Sequence, residues 1–133
     1  MDLLKALVVE DNVPMASVLA FNLHKAGFVV VVAHSGTGGL ELFATEDFDV
    51  VLTDYQMPGC SGEELCRTIR GGSRHADVPL FLITAKTYEL DTERLCSELQ
   101  LSGVLEKPFS PKHVVTAVQA AVMTASASAV EPR

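Results

Sequence analysis

Short apolar segments alternate with longer, helix-prone segments from one end of this chain to the other. The short segments are typical of buried parallel strands, because they are rich in valine, leucine and isoleucine and are bounded by charged or turn-forming residues. Each segment between them is long enough for the helical crossover that parallel strands require. The predicted strands are 4–9, 28–33, 50–53, 80–83 and 103–106, and the predicted helices are 12–25, 37–45, 63–69, 88–99 and 111–123.

This alternation predicts the fold class. Five βα units in series favour a parallel sheet with helices on both faces, because each crossover between parallel strands is short and right-handed. The patterned sequence ends near Met123, and the small and polar residues that follow are typical of a disordered tail or a linker. We therefore expect one α/β domain in residues 1–123 and a disordered tail or linker in residues 124–133.

Composition narrows the classes of function. The net charge of -7 argues against direct binding to nucleic acid, because contacts to phosphates need clustered lysine and arginine. No apolar run approaches the roughly 20 residues of a membrane helix, and the N-terminus lacks the pattern of a signal peptide. The three cysteines lack metal-binding spacing. The expected protein is cytoplasmic, makes no membrane contact and has proteins as partners.

Polar residues stand at the carboxyl ends of four predicted strands. Glu10 and Asp11 follow the first strand and Asp54 follows the third, whereas Thr84 and Lys107 follow the fourth and fifth. In an open parallel sheet these ends share one crevice, which is where ligands bind. The sequence therefore predicts that the five side chains form a single site.

The residue types in this predicted site indicate phosphoryl chemistry. Three carboxylates close together repel one another, which either raises a pKa or requires a cation. Magnesium suits such a site, since it prefers oxygen ligands and shares its shell with phosphate. Aspartate can act as a nucleophile, which makes Asp54 the candidate acceptor, while Lys107 and Thr84 could neutralise or hydrogen-bond the transferred oxygens.

The ordered series of motifs resembles the receiver domain of two-component response regulators, in its single-domain, CheY-like form. The resemblance covers about residues 4–123 and implies a flavodoxin-like, doubly wound (βα)5 fold with strand order 2-1-3-4-5. The motifs that carry it are Glu10-Asp11, Thr53-Asp54, Met57-Pro58, Thr84-Ala85 and Lys107-Pro108.

The resemblance also assigns roles to the predicted site. Asp54 would accept a phosphoryl group from a histidine kinase or a histidine phosphotransfer protein, and Thr84 and Lys107 would contact that group. Mg2+ would be held by Glu10, Asp11, the Asp54 carboxylate and the backbone carbonyl of Gln56. The family commonly has a cis peptide before the proline that here follows Lys107.

The same resemblance predicts how the signal leaves the domain. A downstream protein would bind the face between Tyr88 and Met123, and the apolar composition of the last helix would permit a homodimer. Such a domain is not classed as an enzyme, although it assists its own phosphorylation and dephosphorylation. One position departs from the family pattern: Val104 stands where receivers usually have phenylalanine or tyrosine. A valine cannot sweep the volume of an aromatic ring, which questions the usual coupling between Thr84 and that ring.

Two other interpretations remain open. The chain could be a receiver taken from a hybrid histidine kinase or a multidomain regulator, in which case its partner would be in cis. It could also be an aspartyl phosphatase of the haloacid dehalogenase type, which uses a nucleophilic aspartate and magnesium. That chemistry requires a second acid two residues after the nucleophile, where this chain has Gln56, and a nucleophile on the first strand rather than the third.

Overall fold

A computed structural model describes residues 3–85 and 91–130, with side chains described through residue 125. Strands and helices alternate along these residues in the predicted order. The strands are β1 (Lys5–Val9), β2 (Val29–Ala33), β3 (Val50–Asp54), β4 (Leu80–Thr84) and β5 (Gly103–Glu106). The helices are α1 (Val13–Lys25), α2 (Gly36–Thr45), α3 (Gly62–Gly71), α4 (Thr92–Leu99) and α5 (Pro111–Val130).

The five strands form one parallel sheet in the order β2-β1-β3-β4-β5. This order confirms the predicted α/β class and the flavodoxin-like, doubly wound arrangement. The chain first adds β2 on one side of β1 and then continues with β3 on the other side. The carboxyl ends of β1 and β3 therefore border the point at which the winding reverses, which is where open α/β sheets bind ligands.

Successive residues of each strand face opposite sides of the sheet and build two cores. In β1, Leu7 and Val9 pack with α2, α3 and α4, whereas Ala6 and Val8 pack with α1 and α5. Both faces of the central strands are fully buried, which explains their continuous apolar sequence. The two cores hold the carboxyl ends of the strands in fixed positions.

Side-chain caps set the starts of the helices. Asn12 caps α1, Ser35 caps α2 and Asp91 caps α4, each accepting a hydrogen bond from a backbone N–H in the first turn. Ser61 and Glu64 form a capping box that starts α3 at Gly62. Apart from the start of α4 and the end of α5, the predicted ends lie within two residues of those observed.

Helices α4 and α5 differ from the prediction at one end each. Helix α4 begins at Thr92 rather than at residue 88, because Asp91 is its cap. Residues 88–90 of the predicted helix lie outside the described residues.

Helix α5 continues through Val130, seven residues beyond its predicted end at Met123, and the tail or linker role of residues 124–133 stays a prediction. Alternating alanine and serine continue the helix there without a breaker, and alanine has the highest helix propensity. Residues 131–133 lie outside the described residues.

The apolar face of α5 belongs to the core of the domain. Val114, Val118 and Val122 are buried against the sheet. The apolar composition that suggested a homodimer is thus largely used within one chain, and the homodimer stays a prediction. None of the helices in the described ranges is both long and apolar enough to span a membrane.

Candidate functional site

The carboxyl ends of β1 and β3 bring three carboxylates together. Glu10 follows β1 directly and is fully buried, and Asp54 ends β3 and is 6% exposed. Asp11 is exposed at the rim of the crevice. One carboxylate oxygen from each residue lies within 4.8 Å of the other two. The structure thus joins the acids that the sequence placed at separate strand ends.

Lys107 completes this cluster from the end of β5. Its Nζ lies 3.0 Å from Oδ1 of Asp54 and 3.3 Å from Oε1 of Glu10. The backbone N–H of Lys107 donates to the carbonyl of Thr84 (2.9 Å), which fixes the turn after β5 against the end of β4. The peptide bond between Lys107 and Pro108 is cis, as the resemblance implied.

Burial and mutual repulsion make this cluster electrostatically costly. Burial raises the pKa of Asp54, and the nearby Asp11 raises it further, although Lys107 opposes both effects. The pKa of Glu10 is also raised, first by burial and then by Asp54. Burial alone would lower the pKa of Lys107, but Asp54 and Glu10 outweigh it, so that pKa is raised. One ammonium group therefore compensates only part of the negative charge.

The Glu10 carboxylate has one buried oxygen that is available to a cation. Its Oε2 accepts a hydrogen bond from the Asn12 N–H (3.1 Å). Its Oε1 is buried and has no hydrogen-bond partner in the described part of the chain, because the 3.3 Å contact with Lys107 is an ion pair without hydrogen-bond geometry. Three carboxylates with a spare buried oxygen fit a small, hard divalent cation such as Mg2+.

Thr84, Gln56 and Val104 differ in their burial and in their place on the sheet. Thr84 ends β4 and is buried, whereas Gln56 is exposed in the loop that follows β3. Val104 is partly buried in β5 and is paired in register with Leu82. The predicted site residues therefore lie at the carboxyl ends of β1, β3, β4 and β5, or in the loop after β3, on one edge of the sheet.

A family model described as the response regulator receiver domain matches residues 6–119. The chain belongs to this family. Similar solved structures include the chemotaxis response regulator CheY4 of Vibrio cholerae, with 26% identity and a TM-score of 0.82 over 90% of this chain and 99% of that chain. A response regulator receiver domain protein from Clostridium thermocellum has 28% identity and a TM-score of 0.83 over 93% and 98% of the two chains.

A third similar structure has a different description. A sensor protein from Polaromonas sp. JS666 has 27% identity and a TM-score of 0.84, over 91% of this chain and 97% of that chain. Receiver domains are signalling domains that interact with histidine kinases or phosphotransfer proteins and with downstream targets. The family binds Mg2+ at an acidic pocket, and this receiver has a matching group in Glu10, Asp11 and Asp54.

Several residues that shape this receiver's site were not predicted from the sequence. Asn12 both caps α1 and donates its N–H to Glu10, and His34 Nδ1 lies 3.0 Å from the Glu10 carbonyl oxygen. Gly36 and Gly62 are buried where α2 and α3 begin, beside the loop after β3. The available signal for Gly62 was its position four residues after Pro58, whereas His34 gave no signal.

Proposed function

We propose that Asp54 is the phosphoacceptor of a signalling switch and that it receives its phosphoryl group from the phosphohistidine of a histidine kinase or a histidine phosphotransfer protein. The observation that supports this most directly is the carboxylate cluster with its lysine. The buried Asp54 carboxylate is 3.0 Å from Lys107 Nζ and shares a 4.8 Å cluster with Glu10 and Asp11. Such a site combines a nucleophile, a cation site and a fixed positive charge.

In this reaction a carboxylate oxygen of Asp54 attacks phosphorus. The phosphorus–nitrogen bond to the donor histidine breaks, its electron pair stays on the imidazole, and a phosphorus–oxygen bond forms an acyl phosphate on Asp54. Lys107 favours the ionised, nucleophilic form of Asp54 and then offers its charge to the transferred oxygens. The Thr84 hydroxyl would contact the same oxygens.

The proposed magnesium ligands are Glu10, Asp11, the Asp54 carboxylate and the backbone carbonyl of Gln56. When bound, Mg2+ supplies positive charge that offsets the repulsion between the acids and the incoming phosphoryl group. Glu10 is the deepest of these ligands, and its spare Oε1 gives the cation a buried oxygen. Asp11 lies at the exposed rim, the side from which a donor would approach.

Phosphorylation would be read by a protein partner on the face formed by α4, β5 and α5. These elements contain the described part of the face predicted between Tyr88 and Met123. The added charge would shift the domain between two conformations that differ in affinity for the partner. Because Val104 has no ring to move toward Thr84, the shift would be carried by other side chains.

The alternatives use the same residues in different settings. A receiver within a larger sensor or regulator would have the same chemistry with its partner in cis, and the similarity to a sensor protein from Polaromonas supports keeping this alternative. A haloacid dehalogenase-type phosphatase is disfavoured, because its second acid is replaced by the amide of Gln56 and because Asp54 ends β3. We therefore propose a signalling domain rather than an enzyme.

Intact mass measurement tests the phosphoacceptor. Wild type, Asp54→Asn and the control Asp49→Asn are incubated with acetyl phosphate in the presence and absence of Mg2+. Asp49 is a suitable control because it lies before β3, where it accepts a hydrogen bond from the Lys5 N–H (2.8 Å) far from the crevice. We expect a magnesium-dependent gain of one phosphoryl group in wild type and Asp49→Asn only. A wild type that stays unmodified and forms no beryllofluoride complex would refute the proposal.

A further inference from the structure

The loop between β3 and α3 carries Gln56, whose carbonyl is a proposed magnesium ligand, and two glycines lie against this loop. We infer that Gly62 and Gly36 are positioning residues for the magnesium site, because each allows a backbone contact that no other amino acid would permit. The inference rests on the proposed function, in which this loop supplies one ligand to the cation.

Gly62 lies directly against the backbone of the phosphoacceptor strand. A Cβ built on Gly62 would be 2.2 Å from the Asp54 carbonyl oxygen and 2.9 Å from the Tyr55 Cα. Both neighbours are backbone atoms, so they cannot move away as the end of a flexible side chain could. The Gly62 N–H also donates to the Tyr55 carbonyl (2.9 Å), which closes the loop on itself. Any side chain at residue 62 would therefore displace the end of β3 or the start of the loop.

Gly36 makes a similar contact at the other end of the loop. A Cβ on Gly36, at the start of α2, would be 2.5 Å from the Cys60 carbonyl oxygen and 2.7 Å from the Cys60 Cβ. The backbone of Gly36 does not have a positive φ, since the positive-φ glycines of the described chain are Gly27 and Gly59. Gly36 is thus required for close approach rather than for an unusual backbone conformation.

These contacts fix the loop on both sides of Gln56. The Tyr55 N–H donates to the Ile83 carbonyl (2.8 Å), and the Tyr55 carbonyl accepts from Gly62, so the residue before Gln56 is held at both of its backbone groups. The residue after Gln56, Met57, is buried with 8% exposure. A shift at either glycine would therefore change where the Gln56 carbonyl stands relative to the carboxylates.

The test compares Mg2+ affinity in variants of the 133-residue chain with matched glycine controls. Gly62→Ala and Gly36→Ala place a methyl group against loop backbone. Gly71→Ala is a neutral control in α3, because its added Cβ meets no heavy atom within 4 Å. Gly39→Ala is a control for general destabilisation, because its Cβ would be 2.7 Å from a Val9 side-chain carbon rather than from the loop. Mg2+ dissociation constants come from calorimetric titration, and urea unfolding without Mg2+ verifies that each variant folds.

We expect Gly62→Ala and Gly36→Ala to weaken Mg2+ binding about 10-fold or more, as substitutions that reorient metal ligands do. Both should still be phosphorylated by acetyl phosphate when Mg2+ is raised in proportion, so the half-saturating Mg2+ concentration increases more than the maximal rate falls. Gly71→Ala and Gly39→Ala should bind Mg2+ as wild type does.

Three results would count against the inference or its basis. Unchanged Mg2+ affinity in a folded Gly62→Ala or Gly36→Ala would overturn the positioning role alone. An equal loss in Gly39→Ala would also overturn it, because general destabilisation would then explain the effect. A wild type that binds no Mg2+ would overturn the proposed function itself together with this inference. If Gly62→Ala does not fold, Gly36→Ala decides the matter, since it meets the loop at Cys60 instead of at Asp54.

Discussion

The stability of helix α4 should depend on one arginine of helix α3. The Arg70 guanidinium donates hydrogen bonds to the carbonyls of Leu99 (2.7 Å) and Gln100 (2.9 Å), at the end of α4, and to that of Ala76 (2.6 Å), in the loop before β4. The last carbonyls of a helix have no partner within it, so Arg70 supplies donors that α4 itself cannot. Partial burial of the guanidinium lowers the pKa of Arg70.

Replacing Arg70 with methionine keeps most of the apolar stem and removes all three hydrogen bonds. A hydrogen bond to a charged group contributes about 1.5–3 kcal/mol. The bond to Gln100 is exposed and should contribute little. We therefore expect the two partly buried bonds to account for a total loss of about 3 kcal/mol. With an unfolding entropy of about 2.1 cal/mol/K per residue and 133 residues, this loss lowers Tm by about 10 °C. Urea unfolding followed by circular dichroism measures the loss directly.

Arg67 is the matched control, because it is on the same helix and its contacts are exposed. It pairs with Glu63 and Glu98 at 2.8 Å each, and its side chain is 45% exposed. Exposed ion pairs contribute little to stability, so Arg67→Met should unfold close to wild type. If Arg70→Met unfolds with wild-type stability, or if Arg67→Met loses as much as Arg70→Met, the reasoning from partly buried carbonyl contacts is refuted.

Three further predictions concern the site and the thiols. Mg2+ at a hundred times its dissociation constant should stabilise wild type by about 2.7 kcal/mol, whereas the melting temperature of Asp54→Asn should barely respond. Without Mg2+, Asp54→Asn should gain stability over wild type as pH rises above the ordinary range of aspartate. The folded state binds the Asp54 proton more tightly than the unfolded state, so wild type has a loss of stability there that Asp54→Asn lacks. Urea unfolding from pH 4 to 7 measures the difference in stability between the two proteins, and a difference that narrows with rising pH contradicts the prediction. Burial raises the pKa of Cys66 to about 12, so native alkylation at pH 8, mapped by peptide mass, should label the part-exposed Cys60 and Cys96 but spare Cys66.

Much of the fold followed from local patterns in the sequence. The apolar strands and intervening helices had to alternate in a parallel sheet, because only this arrangement buries continuous apolar strands on both faces. Strand β5 was predicted with its observed bounds, and most other ends lay close to those observed. The two larger differences arose at α4, where Asp91 acts as the cap, and at α5, where an alanine-rich tail continues the helix.

What the sequence determined about the candidate site was which residues share one edge of the sheet. Glu10, Asp11, Asp54, Thr84 and Lys107 lie together at that edge because the carboxyl ends of parallel strands do. Tertiary structure alone decided that the three carboxylates approach within 4.8 Å of one another and that Lys107 contacts two of them.

Tertiary structure also decided the supporting contacts. The approach of Gly62 to the Asp54 backbone, and the reach of Arg70 to the end of α4, join residues that no local pattern connects. A sequence pattern reports which face of a strand or helix a residue occupies. Distances between elements are set by how whole side chains pack between them, so they exist only once the chain has folded.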